Sequence, residues 1–203
     1  MAQPLEGIRV IDLCNNIYGQ FCTQILADFG AEVIKIESNT SINYVSNDLM
    51  KRNKKSFTLN LEKEEGKAVF SRLAEQSDVL VSDGSAPIEN TRLIELQKIN
   101  DKLVYCCISD HIITQNEEDY YQKYLSNSFN LSQPDISILS GIKIANMAGG
   151  VLYPVIAILL ALISRQNTGK GQTCEVSVTD GALSLLKYVI YQISNNVQEC
   201  QLI

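Results

Sequence analysis

The chain has few of the residues that build metal centres. It contains one histidine in 203 residues, and none of its six cysteines forms a C-x-x-C pair. Zinc sites use closely spaced cysteine and histidine ligands, so no metal site is expected. Cys106 and Cys107 lie inside an apolar run, where buried free thiols are the ordinary outcome.

The chain also has fewer basic than acidic residues, with 17 Lys and Arg against 23 Asp and Glu. The formal net charge is −6 and the isoelectric point is about 4.9, which argues against a nucleic-acid partner because such partners require a basic face. A small phosphate-bearing ligand is not excluded, since it needs only a local basic patch. Apolar residues make up 45% and charged residues 20%, as in ordinary globular proteins.

The first residues lack the basic and then apolar pattern of a signal peptide, because Glu6, Arg9 and Asp12 interrupt it. We therefore expect a reducing, cytoplasmic location. The range Ile144–Ser164 has no charged residue and is long enough to cross a bilayer. A buried helix of a soluble enzyme has the same pattern, and we favour that interpretation over a membrane partner.

Apolar periodicity alternates between the spacing of strands and that of helices. Strands are predicted at Ile8–Leu13, Glu32–Glu37, Ser56–Leu61, Asp78–Val81, Leu103–Ile108 and Thr173–Ser177. Helices are predicted at Phe21–Phe29, Glu62–Gln76, Glu89–Ile99, Ala148–Arg165, and from a cap at Thr179 or Asp180 to about Gln192. This order indicates the α/β class, with an open parallel sheet flanked by helices.

The pattern suggests three segments. Residues 1–110 form an α/β core, residues 111–143 form a polar connecting segment without clear periodicity, and residues 144–203 supply a long apolar helix, a strand and a final helix of the same domain. Gly30, directly after the first helix, is placed to end that helix.

Five motifs follow one another in order along the chain. They are PLEGIRVIDL at Pro4–Leu13, LADFGAEVIKIE at Leu26–Glu37, KRNKKSFTLNL at Lys51–Leu61, SDVLV at Ser77–Val81, and the spaced set Arg165, Thr168, Gly169, Gly171, Gln172, Val176 and Ser177. In this order the chain resembles the family III CoA-transferases, which include formyl-CoA transferase, CaiB/BaiF proteins and α-methylacyl-CoA racemase.

The resemblance implies a Rossmann-like large domain that binds CoA, with CoA or acyl-CoA as substrate and no permanently bound cofactor. Members exchange CoA between carboxylic acids or epimerise the α-carbon of an acyl-CoA. In the transferases an aspartate attacks the thioester and carries the acyl group, which divides one difficult transfer into easier steps. Members are about twice this length and interlock in pairs. We therefore expect the small domain to be missing, and a homo-oligomer or a hetero-oligomer with a related chain.

The acyl-carrying aspartate of the family falls at Asn146. A neutral amide is neither an acyl-accepting nucleophile nor a base for the α-proton, so we expect weak or absent transfer. A small error of register does not change this, because no aspartate lies between Ile136 and Lys170. Asp135 is nearby in sequence but would require a local rearrangement.

The predicted binding residues are mainly basic. Lys51, Arg52, Lys54 and Lys55 form either a binding site for the CoA phosphates or a solvated basic loop, and the resemblance favours the phosphate-binding site. Lys35 is a further candidate for binding the phosphates.

Gly19 begins the first strand-to-helix turn. It either brings backbone N–H groups close to the ligand or serves only the tight turn. The racemases also use a histidine, but His111 is interpreted here as a surface or packing residue.

Three functions stay open. The chain is a CoA-handling protein with a degenerate active site, a non-catalytic binding or assembly subunit that pairs with another chain of the family, or an active transferase or racemase with a rearranged site.

Overall fold

The computed structural model describes residues 3–37, 48–84, 90–109 and 136–187. The strands are β1 (Arg9–Asp12), β2 (Glu32–Glu37), β3 (Lys54–Thr58), β4 (Val79–Ser82), β5 (Val104–Ser109) and β6 (Thr173–Ser177). The helices are α1 (Ile17–Asp28), α2 (Glu64–Glu75), α3 (Asn90–Ile99), α4 (Ile136–Thr168) and α5 (residues 178–187), and Asp48–Lys51 forms a 3₁₀ turn.

The strands form one sheet in the order β3-β2-β1-β4-β5-β6. The pairs β1–β2, β2–β3, β1–β4 and β4–β5 are parallel, as the alternation of strands and helices predicts. This confirms the Rossmann-like α/β fold. The strand order reverses between β1 and β4, and open sheets of this kind bind their ligands outside the carboxyl ends of the strands at such a reversal.

The middle strands are buried because helices cover both faces of the sheet. All four residues of β4 are buried, which fits its continuous apolar sequence. Apolar side chains from strands and helices then meet in one core cluster: Ile11, Leu13, Ile36, Leu61, Phe70, Ala74, Leu80, Leu96 and Leu103. The cluster fixes β1 and β4, whose carboxyl ends form the edge at the strand reversal.

The structure confirms the prediction that Gly30 ends helix α1. Gly30 has a φ of +100°, a left-handed conformation that costs glycine little, and its N–H donates to the carbonyl of Ala27 at 3.0 Å. The chain leaves the helix there and enters β2 two residues later.

The predicted start of the long helix is wrong. Helix α4 begins at Ile136 rather than Ala148, so part of the predicted connecting segment is helical. Gly141 and the serines of ISILSGIK dilute the apolar periodicity, which hides this first part of the helix in the sequence. Residues 111–135, the rest of that segment, lie outside the described residues.

The predicted cap of the last helix is also wrong. Thr179 and Asp180 are already helical, and the N–H of Asp180 donates to Ser177 Oγ at 3.2 Å. Ser177, the last residue of β6, therefore caps α5. The strand runs into the helix without a loop, so one residue has both roles.

One described helix, Ile144–Thr168, is long and apolar enough to cross a membrane by length and composition, and 44% of its most apolar window is buried. Pro154 lies within this helix.

The chain divides into two compact units. One contains Met1–Ser109 and Val151–Val176, and therefore the whole sheet; the other contains Asp110–Gly150 and Ser177–Ile203. In the second unit, α4 and α5 touch through their backbones: a Cβ atom on Gly149 would lie 2.4 Å from the nitrogen of Ala182. The three segments predicted from the sequence stay a prediction.

Candidate functional site

A fully buried carboxylate lies at the carboxyl end of β1. Asp12 is 0% exposed, and its Oδ2 accepts hydrogen bonds from Thr23 Oγ1 at 2.6 Å and Lys54 Nζ at 2.9 Å. Its Oδ1 accepts from the backbone N–H of Cys14 at 2.9 Å. Strand β1, helix α1 and strand β3 thus meet at one side chain.

Lys54 is the most buried member of the basic segment, with a side chain only 4% exposed. Besides Asp12, its ammonium donates to the carbonyl of Gln20 at 2.7 Å and to Thr23 Oγ1 at 2.8 Å. An ammonium has three hydrogens, so these three acceptors use its whole capacity.

Lys35 approaches the same carboxylate from β2. It is paired in register with Asp12, its Nζ lies 3.5 Å from Asp12 Oδ1, and its side chain is 12% exposed. The same ammonium donates to the carbonyl of Cys14. Lys35 and Lys54 therefore hold one buried carboxylate between them.

Burial and the neighbouring charges determine the protonation of Asp12 and Cys14. Burial alone would raise the pKa of Asp12, but the ammonium groups of Lys35 and Lys54, together with the hydrogen bonds from Thr23 and Lys54, hold the pKa below its usual value. Asp12 is therefore an anion at neutral pH. Burial, reinforced by Asp12, raises the pKa of the Cys14 thiol well above its ordinary value, so Cys14 is a neutral thiol and a poor nucleophile.

We call residues 13–16, between β1 and α1, the β1–α1 turn. Asp83, which follows β4, holds this turn from the other side of the strand reversal: its Oδ2 accepts the backbone N–H groups of Asn15 at 2.7 Å and Asn16 at 2.6 Å. Asn16 then caps α1, with its Oδ1 accepting the N–H of Gly19 at 2.8 Å.

The structure gives Gly19 a packing role. A Cβ atom there would lie 2.3 Å from Cys14 Sγ, so only glycine lets α1 come this close to the turn. Its N–H donates to Asn16, and its predicted role toward a ligand stays a prediction.

The remaining cations of the basic segment are exposed and lie in surface ion pairs. Lys51 Nζ is 3.4 Å from Glu37 Oε1, Lys55 Nζ is 2.7 Å from Glu32 Oε1, and Arg52 pairs with Asp28. Their side chains are 49%, 71% and 64% exposed, respectively. The predicted phosphate-binding role of the basic segment stays a prediction. In the structure Lys54 is buried, and the other three cations of the segment are accessible.

Asn146 lies on α4 in the second compact unit. Its Oδ1 is buried and has no hydrogen-bond partner among the residues that the structure describes. A buried acceptor without a donor is costly, about 1–3 kcal/mol, and such atoms are common where function requires them. Gly149 follows one turn later, at the contact with α5. Asp135 and His111, the other candidates, lie outside the described residues.

Sequence reasoning missed Asp12, Thr23 and Asp83. A signal for Asp12 was present, because an acidic residue inside the apolar strand IRVIDL needs a buried partner. Nothing local identifies Asp83 or Thr23, whose contacts join residues far apart in the chain.

Comparison with known proteins supplies the context for this geometry. The model of CoA-transferase family III matches residues 5–201. Human α-methylacyl-CoA racemase is 30% identical over 200 residues, which cover 91% of this chain and 50% of the racemase. Acetyl-CoA:oxalate CoA-transferase of Acetobacter aceti is 31% identical over 214 residues, covering 92% of this chain and 54% of the relative.

Among solved structures, a CAIB/BAIF family protein from Brucella suis is similar, with a TM-score of 0.67 and 27% identity. The match covers 92% of this chain and 56% of that protein. The chain thus spans about half the length of the curated relatives it matches.

Proposed function

Because the chain belongs to CoA-transferase family III, we propose that it binds CoA or an acyl-CoA and that Asn146 leaves it weak or inactive in acyl transfer. The proposal depends on the register predicted from the sequence, which puts the neutral amide of Asn146 at the position of the acyl-carrying aspartate of this family's transferases. The CoA thioester is the proposed ligand, and no resident cofactor is needed for it to bind.

The fold supports the binding half of this proposal. The strand order reverses between β1 and β4, where sheets of this class bind nucleotide-like ligands. The basic segment adds three exposed cations that could bind the phosphates of CoA. Lys51 lies at the carboxyl end of β2, where it pairs with Glu37, whereas Arg52 and Lys55 pair with Asp28 and Glu32 near the amino end of that strand. Their present partners are surface carboxylates, and water-screened pairs of this kind are weak and readily exchanged for a phosphate.

The chemistry of the described residues supports the other half. Acyl transfer through a covalent intermediate needs a nucleophile, and the amide of Asn146 is neutral and unreactive toward thioesters. Cys14 is no substitute, since burial keeps its thiol protonated. Asp12 is ionised, but both its oxygens are taken by Lys35, Lys54, Thr23 and the backbone.

The proposal predicts binding without acylation. Isothermal titration calorimetry with CoA and acetyl-CoA is expected to show saturable binding, while hydroxylamine treatment after incubation with acetyl-CoA is expected to release no enzyme-bound acetyl group. Absence of binding heat for both ligands contradicts the proposed ligand class. An acetylated polypeptide seen by mass spectrometry contradicts the loss of transfer.

The Asn146→Asp variant tests whether only the nucleophile has been lost. It restores a carboxylate at nearly the same volume, so a hydroxylamine-sensitive acyl group is expected on the variant and not on Asn146→Ala. If the aspartate variant binds acetyl-CoA but is never acylated, the missing carboxylate is not what prevents transfer.

A second function, as a non-catalytic assembly subunit, is favoured by the surface of α4. Leu152, Ile156, Leu160 and Ile163 recur at helical spacing and are 49–58% exposed. A row of apolar side chains this size commonly marks an interface. Light scattering of the chain alone and mixed with a full-length relative checks this, since a monomer that does not associate in either sample rules it out.

A further inference from the structure

We propose that Lys54 is a positioning residue, which together with Thr23 locks the β1–α1 turn, and that it does not itself contact the ligand. The inference rests on the proposed CoA site at this edge of the sheet, but it assigns Lys54 a role opposite to that of its neighbours in the basic segment. The sequence predicts that Lys54 binds phosphate, because Lys54 lies next to the other basic residues of the segment.

The first ground is that Lys54 has nothing left to donate. Its three hydrogens are directed to Asp12 Oδ2, the Gln20 carbonyl and Thr23 Oγ1, all within 2.9 Å. A phosphate would have to displace one of these acceptors from a side chain that is only 4% exposed. Lys55, the next residue, points to the opposite face of the strand, and its side chain is 71% exposed.

The second ground is where those bonds lead. Thr23 and the Gln20 carbonyl belong to α1, Asp12 ends β1, and Lys54 begins β3, so a single ammonium ties three elements together. Asp12 Oδ1 in turn accepts the N–H of Cys14, the second residue of the turn. Through this chain of contacts the position of Lys54 fixes the backbone of the turn.

The third ground is that Thr23 belongs to the same network without any charge. Its hydroxyl donates to Asp12 and accepts from Lys54, so removing the hydroxyl takes one hydrogen bond from each of them, and the tie from both to α1 through Thr23, while both ammonium groups remain. A role in positioning therefore predicts that Thr23→Val and Lys54→Met have the same effect on ligand binding. A direct contact between Lys54 and a phosphate predicts that only Lys54→Met has an effect.

The test is a double-mutant cycle on CoA affinity by calorimetry, with Lys98→Met as the control for loss of an exposed lysine from the last turn of α3. We expect Thr23→Val and Lys54→Met each to weaken CoA binding about tenfold, and the double variant to be no weaker than Lys54→Met alone. Thr23→Ser, which keeps the hydroxyl, is expected to retain wild-type affinity. A weakened Lys54→Met beside an unchanged Thr23→Val, or two unchanged single variants, overturns the inference.

Amide hydrogen exchange keeps the inference testable if wild-type protein does not bind CoA, a result that would overturn the proposed function alone. In the ligand-free protein, Thr23→Val and Lys54→Met are both expected to speed exchange of the Cys14 and Gly19 amides at least about tenfold, while amides of α3 keep their protection. Unchanged exchange at Cys14 and Gly19 in Thr23→Val overturns the positioning role, and this variant preserves every charge if Lys54→Met does not fold.

Discussion

The Asp12→Asn variant is expected to lose about 3–5 kcal/mol of unfolding free energy at pH 7, because two buried ammonium groups then lack their counter-ion. Lys54 and Lys35 have side chains 4% and 12% exposed, so water cannot replace the missing charge. Urea denaturation at pH 7 measures the loss. If unpaired ammonium is the cause, the double variant Asp12→Asn/Lys54→Met is more stable than Asp12→Asn alone.

The same variant has a defined pH dependence. The pKa of Asp12 is lower in the folded chain than in the unfolded chain, so the unfolded state binds the proton more tightly and stability rises with pH. The contribution of Asp12 is complete above its ordinary pKa of about 4 and is lost as the pH falls through the lower folded value. The stability gap between wild type and Asp12→Asn should therefore begin to narrow at about pH 5, roughly one unit above the ordinary pKa, and should close only as the pH falls below the lower folded pKa.

Asp28→Asn is the matched control, because it removes the same charge from the exposed pair with Arg52. Hydrogen bonds from Arg52 lower the pKa of Asp28, but water surrounds this pair and screens it, so little stability should be lost. Equal losses for Asp12→Asn and Asp28→Asn would show that burial does not decide the energetics of these pairs.

The Gly19→Ala variant is expected to be about 1–3 kcal/mol less stable than wild type. The added Cβ would lie 2.3 Å from Cys14 Sγ and 2.4 Å from Cys14 Cβ, and Cys14 is fully buried, so the turn or α1 must move. Alanine favours helices over glycine by roughly 1 kcal/mol, which offsets only part of the overlap. Chemical denaturation measures the difference.

A cycle with Cys14→Gly separates overlap from other causes. Cys14→Gly removes the two nearest atoms that the new methyl group would meet, so Gly19→Ala should cost clearly less in the Cys14→Gly background than in the wild type. An unchanged cost in the two backgrounds would mean that the glycine is required for a reason other than its contact with Cys14.

Most of the fold could be predicted because it depends on local patterns. Strand β2 is predicted at Glu32–Glu37 and found there, since its β-branched apolar residues lie between Gly30 and the polar sequence that begins at Ser38. The start of α4 could not be predicted, because residues 136–147 carry no clear helical stripe.

The candidate site was predictable only in part, for a different reason. Lys51, Arg52, Lys54 and Lys55 are chemically alike, and nothing in their sequence shows that Lys54 alone is buried against Asp12. The partner of Lys54 lies 42 positions away in the sequence. Long-range ion pairs leave no local signal, so the buried cluster around Asp12 emerges only from the folded chain.

Strand β3 is the outermost strand on one side of the sheet, and four of its five residues are exposed, including Phe57. An outer strand offers unpaired backbone groups to any other extended chain, and charged side chains are a common deterrent to aggregation. The ammonium of Lys55 stands on this strand. The positive charge of Lys55 is therefore expected to disfavour growth of the sheet by strand addition, and acetylation of Lys55, which removes that charge, is expected to weaken this effect.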